Sequence, residues 1–217
     1  ENDLAAYAVK HYNFTTHEGF NAGIWRNDNA TDNQAATDYD KKWIPGQWKV
    51  PEAYDNPASN DPWYFSAIRE ANYFLETVVP RFEKGEIEGS ETNIKHYIGE
   101  MYFLRAKNYL SKLETFGDFP IIKNTLPDES ESLIQASKRA PRYKVAHFIL
   151  EDLDQAISLL TNNISGGKNR ITKNAALLLK SRAALFEASW LTYHKGTALV
   201  PGGPGWPGKA EDIADFN

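Results

Sequence analysis

Apolar side chains recur every three or four positions along four stretches of the chain, the period of an amphipathic helix. The longest stretch carries Ile94, Tyr97, Ile98, Met101, Tyr102, Leu104, Tyr109 and Leu113. The pattern predicts helices over about 61–81, 91–115, 141–161 and 172–194, with a short further helix over 4–12. The expected fold is therefore mainly α-helical.

Residues at the ends of these stretches fit the prediction. Asn60 or Asp61 can cap the first long helix, with Pro62 at its first position, where a missing N–H does no harm. Thr172 can cap the last one. The run 201–208 then holds three Pro and four Gly, which predicts a loop with no further element after it.

A long polar and aromatic loop over 25–60 precedes the first long helix. It combines tryptophans with many Asp and Asn residues, a composition typical of turns and irregular backbone. A loop of this length in a compact domain is either functional or disordered, and its tryptophans argue against disorder. Indole rings stack on the C–H faces of sugars, while Asp and Asn bind the hydroxyl groups. The loop is therefore a candidate carbohydrate-binding face.

Two of the predicted helices resemble each other. Tyr102-x2-Arg105-Ala106-x2-Tyr109 aligns with Leu179-x2-Arg182-Ala183-x2-Phe186. Both fit a degenerate tetratricopeptide A-helix, in which a small residue between aromatics lets a partner helix approach. Arg105 and Arg182 replace the expected leucine, and we expect them to be ion-paired or to extend along the helix surface.

Composition excludes several functional classes. With no Cys, the chain has no disulfide, thiolate zinc site, iron–sulfur cluster or cysteine nucleophile. The net charge of −5 argues against a nucleic-acid partner. The sequence contains no HExxH or GxSxG motif, and we expect no enzymatic activity. A glycosidase stays open as an alternative because carboxylates are plentiful.

Calcium is an alternative ligand of the polar loop. Alternating oxygen-bearing side chains over 28–33 suit that ion, but an EF-hand's glycine at position 6 and glutamate at position 12 are missing. Turn-forming residues explain the segment more simply. We therefore expect no cofactor, with calcium as the weaker alternative.

Five segments in order resemble the SusD/RagB family of outer-membrane nutrient-binding lipoproteins of Bacteroidetes. They are Ala30-Thr31-Asp32-Asn33, Trp63 to Asn72, Arg105-Ala106 with Tyr109 and Phe116-Gly117-Asp118-Phe119-Pro120, Arg142 to Ala156, and Thr172 to Ala183. The resemblance implies a SusD-like fold of tetratricopeptide-like helix pairs with long irregular loops. It implies that 1–217 is one domain, the N-terminal part of a longer chain.

The resemblance also implies a function. Family members capture oligosaccharide or polysaccharide at the cell surface and deliver it to a SusC-like TonB-dependent transporter. They are anchored to the outer membrane by a lipid on an N-terminal Cys, which this chain lacks. The family's ligand face includes the loop ahead of the Trp63 helix. The candidate glycan-binding residues are therefore Asp32, Asp38, Trp43 and Trp48.

Two further expectations concern the remaining tryptophans and an alternative function. Trp63 and Trp190 fall inside the helical pattern and are predicted to pack in the core. A tetratricopeptide-like protein-interaction scaffold without a sugar site is the alternative function.

Overall fold

The computed structural model describes residues 1–12, 14, 34, 44–47, 63–164 and 169–216. Within these residues the chain forms seven helices and no β-strand, so the mainly α-helical prediction is confirmed. The helices are α1 (Asn2–Lys10), α2 (Ser66–Glu83), α3 (Glu91–Phe116), α4 (Ser130–Ala136), α5 (Arg142–Leu159), α6 (Lys173–Tyr193) and α7 (Ala210–Phe216). Contacts divide the chain into two compact units, Glu1–His11 with Asn56–Asn217, and Tyr12–Asp55.

The four long helices of the larger unit, α2, α3, α5 and α6, pack against one another in chain order. α2 and α5 both pack on α3, and α6 packs on α5, as expected for tetratricopeptide-like pairs. The apolar residues that α3 buries most completely are Ile94, Ile98, Met101, Leu104, Ala106, Tyr109 and Leu113. Each large side chain among them contributes about 1.5–3 kcal/mol by leaving water, so α3 is the main source of core stability.

Helix α2 begins later than its sequence predicts. Its first residue is Ser66, and Phe65 occupies the cap position without a side-chain hydrogen bond. The capping role predicted for Asn60 or Asp61 is therefore wrong. The physical reason is aromatic packing, because the ring of Phe65 stacks on Phe119 at a centroid distance of 5.1 Å.

Helix α2 ends two residues beyond the predicted position 81. Pro80 lies inside the last turn, and the helix continues to Glu83. A proline there loses one backbone hydrogen bond but leaves the final residues free to stay helical. At α6 the prediction is confirmed, since the Thr172 hydroxyl accepts a hydrogen bond from the Ala175 amide at 3.3 Å.

The two matching arginines have different environments. Arg105 is buried and forms an ion pair with Asp152 of α5 at 2.7 Å, as predicted. Arg182 is exposed, at the corresponding place on α6. The face of α6 around it also exposes Leu178 and Leu185, at 73% and 69% of their surfaces. Both leucines therefore lack the packing that α3 receives from α5.

Helix α7 corrects the expectation that no element follows the Pro/Gly-rich run. It is held to α5 by polar contacts rather than by a large apolar face. The Lys144 ammonium binds Asp212 Oδ1 at 2.7 Å, and the Tyr143 hydroxyl donates to the Asp212 carbonyl at 2.9 Å. Asp212 Oδ2 also accepts from the Lys209 amide at 3.3 Å, half of a capping box.

These contacts predict that acid loosens α7. The hydrogen bond from Lys144 holds the pKa of Asp212 below its usual value. The ionised Asp212 carboxylate therefore stabilises α7 fully above its unfolded pKa of about 4. This stabilisation is lost as pH falls through the lower pKa that Asp212 has in the folded protein. Between pH 6 and pH 3, amide protection of 210–216 should fall by about fivefold, the value of one side-chain cap. Hydrogen exchange corrected for its intrinsic pH dependence measures this.

Two variants make the acid test specific. Asp212→Asn should reduce protection at pH 6 and weaken its dependence on pH. Glu211→Gln is the matched control, because Glu211 binds only the exposed Lys209 side chain among the described residues. Equal pH dependence in the wild-type protein and in Asp212→Asn would contradict the assignment.

The smaller unit is described at Tyr12, Phe14, Gln34 and 44–47. The rings of Tyr12 and Phe14 meet edge to face at a centroid distance of 5.3 Å. Residues 44–47 form a turn closed by a hydrogen bond from the Gln47 amide to the Ile44 carbonyl at 2.9 Å. Across the described part of the chain, no helix combines the length and apolar character needed to span a bilayer.

Candidate functional site

A pocket of about 370 Å³ lies between the start of α2 and the segment that joins α3 to α5. We call it the Trp63 pocket. It is lined by Trp63, Phe65, Ile68, Arg69, Asn72, Pro120, Ile122, Asn124, Leu126, Leu133, Ser137 and Arg139. Its volume falls within the range of sites that bind small ligands.

The segment between α3 and α5, which lines the pocket, has its two ends joined by backbone hydrogen bonds. Gly117 ends α3 with a φ of 72°, a left-handed conformation that favours glycine. Phe119 and Ala140 then exchange two backbone hydrogen bonds, of 3.2 and 3.1 Å. The intervening residues 120–139 therefore form a closed loop, which carries α4.

A buried asparagine joins this loop to α2. The Asn72 amide donates to the carbonyls of Ile122 and Asn124, at 2.8 and 3.3 Å. Its carbonyl oxygen accepts from Arg105 Nη1 at 2.8 Å. Asn72 is only 1% exposed, so its polar groups need these partners, and they fix the floor of the pocket.

Two further side chains hold the same loop. Glu76 accepts hydrogen bonds from the amide and hydroxyl of Thr125, at 3.0 and 2.8 Å, and these bonds lower its pKa. The Tyr109 hydroxyl accepts from the Ile122 amide at 2.8 Å and donates to the Ile122 carbonyl at 3.2 Å. Burial raises the pKa of Tyr109 to about 12, so the hydroxyl stays protonated and keeps both bonds at neutral pH.

Aromatic rings form one wall of the pocket. The indole of Trp63 lies 3.9 Å from the Phe116 ring and 5.8 Å from the Phe119 ring, by centroids. Phe119 is fully buried and so anchors this cluster in the core. The Arg139 guanidinium lies 4.8 Å from the Trp63 ring centroid, a cation–π distance.

The polar groups of the pocket are suited to binding rather than to proton transfer. Arg69 and Arg139 supply guanidinium donors, while Asn124 and Ser137 supply neutral polar groups. Among the described lining residues there is no Asp, Glu, His or Lys to act as a general acid or base. An apolar wall with a few polar donors can hold a ligand that has one apolar face and several acceptors.

The sequence-predicted site residues Asp32, Asp38, Trp43 and Trp48 all lie outside the described residues. Their role as glycan ligands stays a prediction. The structure corrects the assignment of Trp63, which is half-buried and lines the pocket instead of filling the core. The reason is that α2 starts three residues after it, which frees the indole from the helical face.

The second tryptophan assigned to packing has a different environment. Trp190 on α6 is half-buried under the Arg142 guanidinium of α5, 3.9 Å from its ring centroid. Arg142 also binds Glu187 at 2.7 Å, and both of these charged side chains are buried. Trp190 therefore belongs to the contact between α5 and α6.

The described residues contain no group of three or more His, Asp or Glu side chains placed to hold a metal ion. The segment 28–33, considered for calcium, lies outside the described residues. The calcium alternative is therefore untested.

A SusD-like family, described as "Starch-binding associating with outer membrane", matches residues 1–185. No curated protein matches the chain.

Several solved structures resemble parts of it. A SusD-like protein from Bacteroides fragilis is 30% identical with a TM-score of 0.48, and the match covers 57% of this chain and 22% of that one. A laminarin binding SusD-like protein is 23% identical with a TM-score of 0.46, covering 55% and 24%. A SusD superfamily protein from Bacteroides vulgatus is 21% identical with a TM-score of 0.44, covering 61% and 30%. The matched part is thus less than a third of each of these structures.

Proposed function

Because the chain belongs to the SusD-like family, we propose that it binds oligosaccharide or polysaccharide at the outer face of the outer membrane. The family match over 1–185 is the observation that carries the proposal, since it spans most of the chain and its description names starch binding. The Trp63 pocket supports it with an aromatic wall beside guanidinium and amide groups. Such a mixture suits a sugar ring, which has an apolar C–H face and a rim of hydroxyls.

We propose glycan contacts at two regions of the chain. One is the Trp63 pocket, and the other is the loop that contains Asp32, Asp38, Trp43 and Trp48. Alanine substitution of Trp43 and Trp48 tests the loop separately from the pocket. If both variants are retained in polysaccharide-containing gels as strongly as the wild-type protein, the loop does not bind the glycan.

We expect the bound glycan to pass to a SusC-like TonB-dependent transporter, with the protein held on the membrane by an N-terminal lipid. Capture from detergent-solubilised outer membranes tests the partnership. A TonB-dependent receptor should co-purify with the tagged full polypeptide. Recovery of the protein without such a receptor would contradict the delivery step.

Replacing Trp63 by alanine is expected to weaken glycan binding about tenfold. The indole offers a large apolar surface, and losing such a contact costs about 1.4 kcal/mol. Affinity electrophoresis in gels containing starch or another retained polysaccharide measures the change. Trp206→Ala is the matched control, because Trp206 is half-buried but does not line the pocket.

Thermal melts of both variants separate lost binding from lost folding. Undiminished retention of a folded Trp63→Ala protein would show that the pocket is not the glycan site. Failure of the wild-type protein to bind any glycan would instead favour the interaction scaffold. Release of reducing sugar from a retained polysaccharide during prolonged incubation would reveal a glycosidase.

A further inference from the structure

The Trp63 pocket concentrates positive charge on a protein that is acidic as a whole. Arg69 and Arg139 both line it, whereas the chain carries a net charge of −5. No carboxylate is found among the described lining residues to balance these two cations. The local excess of positive charge is therefore a property of the pocket and not of the whole surface.

Arg69 and Arg139 differ from most of the other described arginines, which form ion pairs with carboxylates. Seven arginines fall within the described residues, and four of them form ion pairs with carboxylates. Two of the remaining three are Arg69 and Arg139, and the third is the exposed Arg182 of α6. Arg139 does contact the Trp63 ring, but that contact leaves its N–H donors available. The pocket thus holds two guanidinium groups without a carboxylate partner among the described residues.

The surroundings of these arginines favour an anion. Most of the lining is apolar, including Ile68, Leu126 and Leu133. Hydrogen bonds between a guanidinium and a carboxylate are about twice as strong as neutral ones and strengthen where water is displaced by apolar groups. A neutral sugar would use these donors less fully than an acidic one.

We infer that the Trp63 pocket binds a glycan that carries carboxylate groups, with Arg69 and Arg139 as its specificity-determining residues. This inference rests on the proposed glycan-binding function. The apolar wall accepts the C–H face of the sugar, and the two guanidinium groups bind its carboxylates. The ligand class is therefore a uronic-acid polymer or its oligosaccharides.

The test compares charged and neutral forms of the same polymers. Binding of the full polypeptide to polygalacturonate and alginate is measured by calorimetry, beside their carboxyl-reduced forms and starch. We expect each acidic polymer to bind at least about tenfold more tightly than its reduced form, the effect of one charge-assisted contact. Raising the salt concentration should weaken binding of the acidic forms selectively.

Substitution of the two pocket arginines tests whether acidic polymers bind at the Trp63 pocket. Arg69→Gln and Arg139→Gln should each weaken acidic-polymer binding about tenfold, while binding of the reduced polymers changes little. Arg182→Gln is the matched control, since Arg182 is exposed and does not line the pocket. All three positions are on the surface, so the variants should fold, which thermal melts verify.

Each result has a distinct meaning. Equal binding of acidic and reduced polymers, or unchanged acidic binding in both pocket variants, would overturn the acidic-ligand inference and leave the proposed function intact. Absence of binding to every polymer, starch included, would overturn both.

Discussion

Replacing Asp152 by alanine is expected to lower the free energy of unfolding by about 3–5 kcal/mol, because it strands a buried cation. Arg105 Nε and Nη2 each donate to Asp152 at 2.7 Å, a bidentate pair. The two side chains are only 7% and 4% exposed. Bulk solvent therefore has little access to the guanidinium that loses its carboxylate. Chemical denaturation measures the change, which is a large part of a typical domain's stability.

Two further variants test the cause of this loss. Asp154→Ala is the matched control, because Asp154 lies two residues away on α5 and its side chain is 58% exposed. It should change stability by less than about 1 kcal/mol. The double variant Arg105→Met with Asp152→Leu should lose less than Asp152→Ala alone, since it buries no unpaired charge. Equal losses for Asp152→Ala and Asp154→Ala would refute the buried-pair explanation.

The second large effect is expected at Glu100, which is fully buried in α3. Its carboxylate accepts from Arg170 Nε at 2.8 Å and also binds Arg170 Nη2. His96, likewise fully buried, lies with Nε2 3.1 Å from Glu100 Oε1. Arg170 Nη1 further reaches the Ala5 carbonyl at 3.4 Å, so the cluster joins α1, α3 and the segment before α6.

Glu100→Ala should therefore destabilise the fold by about 3–5 kcal/mol and loosen α1. The reason is that Arg170, whose side chain is 9% exposed, loses the Glu100 carboxylate, and the alanine leaves a cavity. Denaturant titration gives the first quantity, and hydrogen exchange of 2–10 gives the second. Glu114→Ala, an exposed position on the same helix, should be nearly neutral.

An intact α1 in a destabilised Glu100→Ala protein would argue against the proposed link between α1 and α3. A stability loss below about 1 kcal/mol would contradict the claim that the Arg170 charge depends on Glu100.

The long helices could be predicted because their apolar period is a local property of the sequence. The apolar pattern predicts a helix over 91–115, and α3 is observed over Glu91–Phe116. α4 could not, because it has seven residues and buries none of them. α7 depends on Lys144, far away in the sequence, and its seven residues carry too short a pattern to identify. In neither helix is the apolar period long enough to identify it from the sequence.

The Trp63 pocket cannot be predicted from the sequence for a similar reason. Its wall depends on the backbone pairing of Phe119 with Ala140, which no local pattern indicates. The position of Trp63 depended on where α2 starts, and helix boundaries are the least reliable part of a sequence-based prediction. The Phe-Gly-Asp-Phe-Pro segment was the available signal, since Gly117 and Pro120 mark the change from helix to extended backbone.

The pairing of Phe119 with Ala140 has an evolutionary consequence. It closes the loop at its base, while Asn72 and Glu76 hold only the first part of it, at 122–125. Residues 127–138 can therefore change in length or composition without disturbing the packing of α3 on α5. Because Leu133 and Ser137 of this stretch line the Trp63 pocket, substitutions there would change the pocket's ligand preference while the helices stay the same.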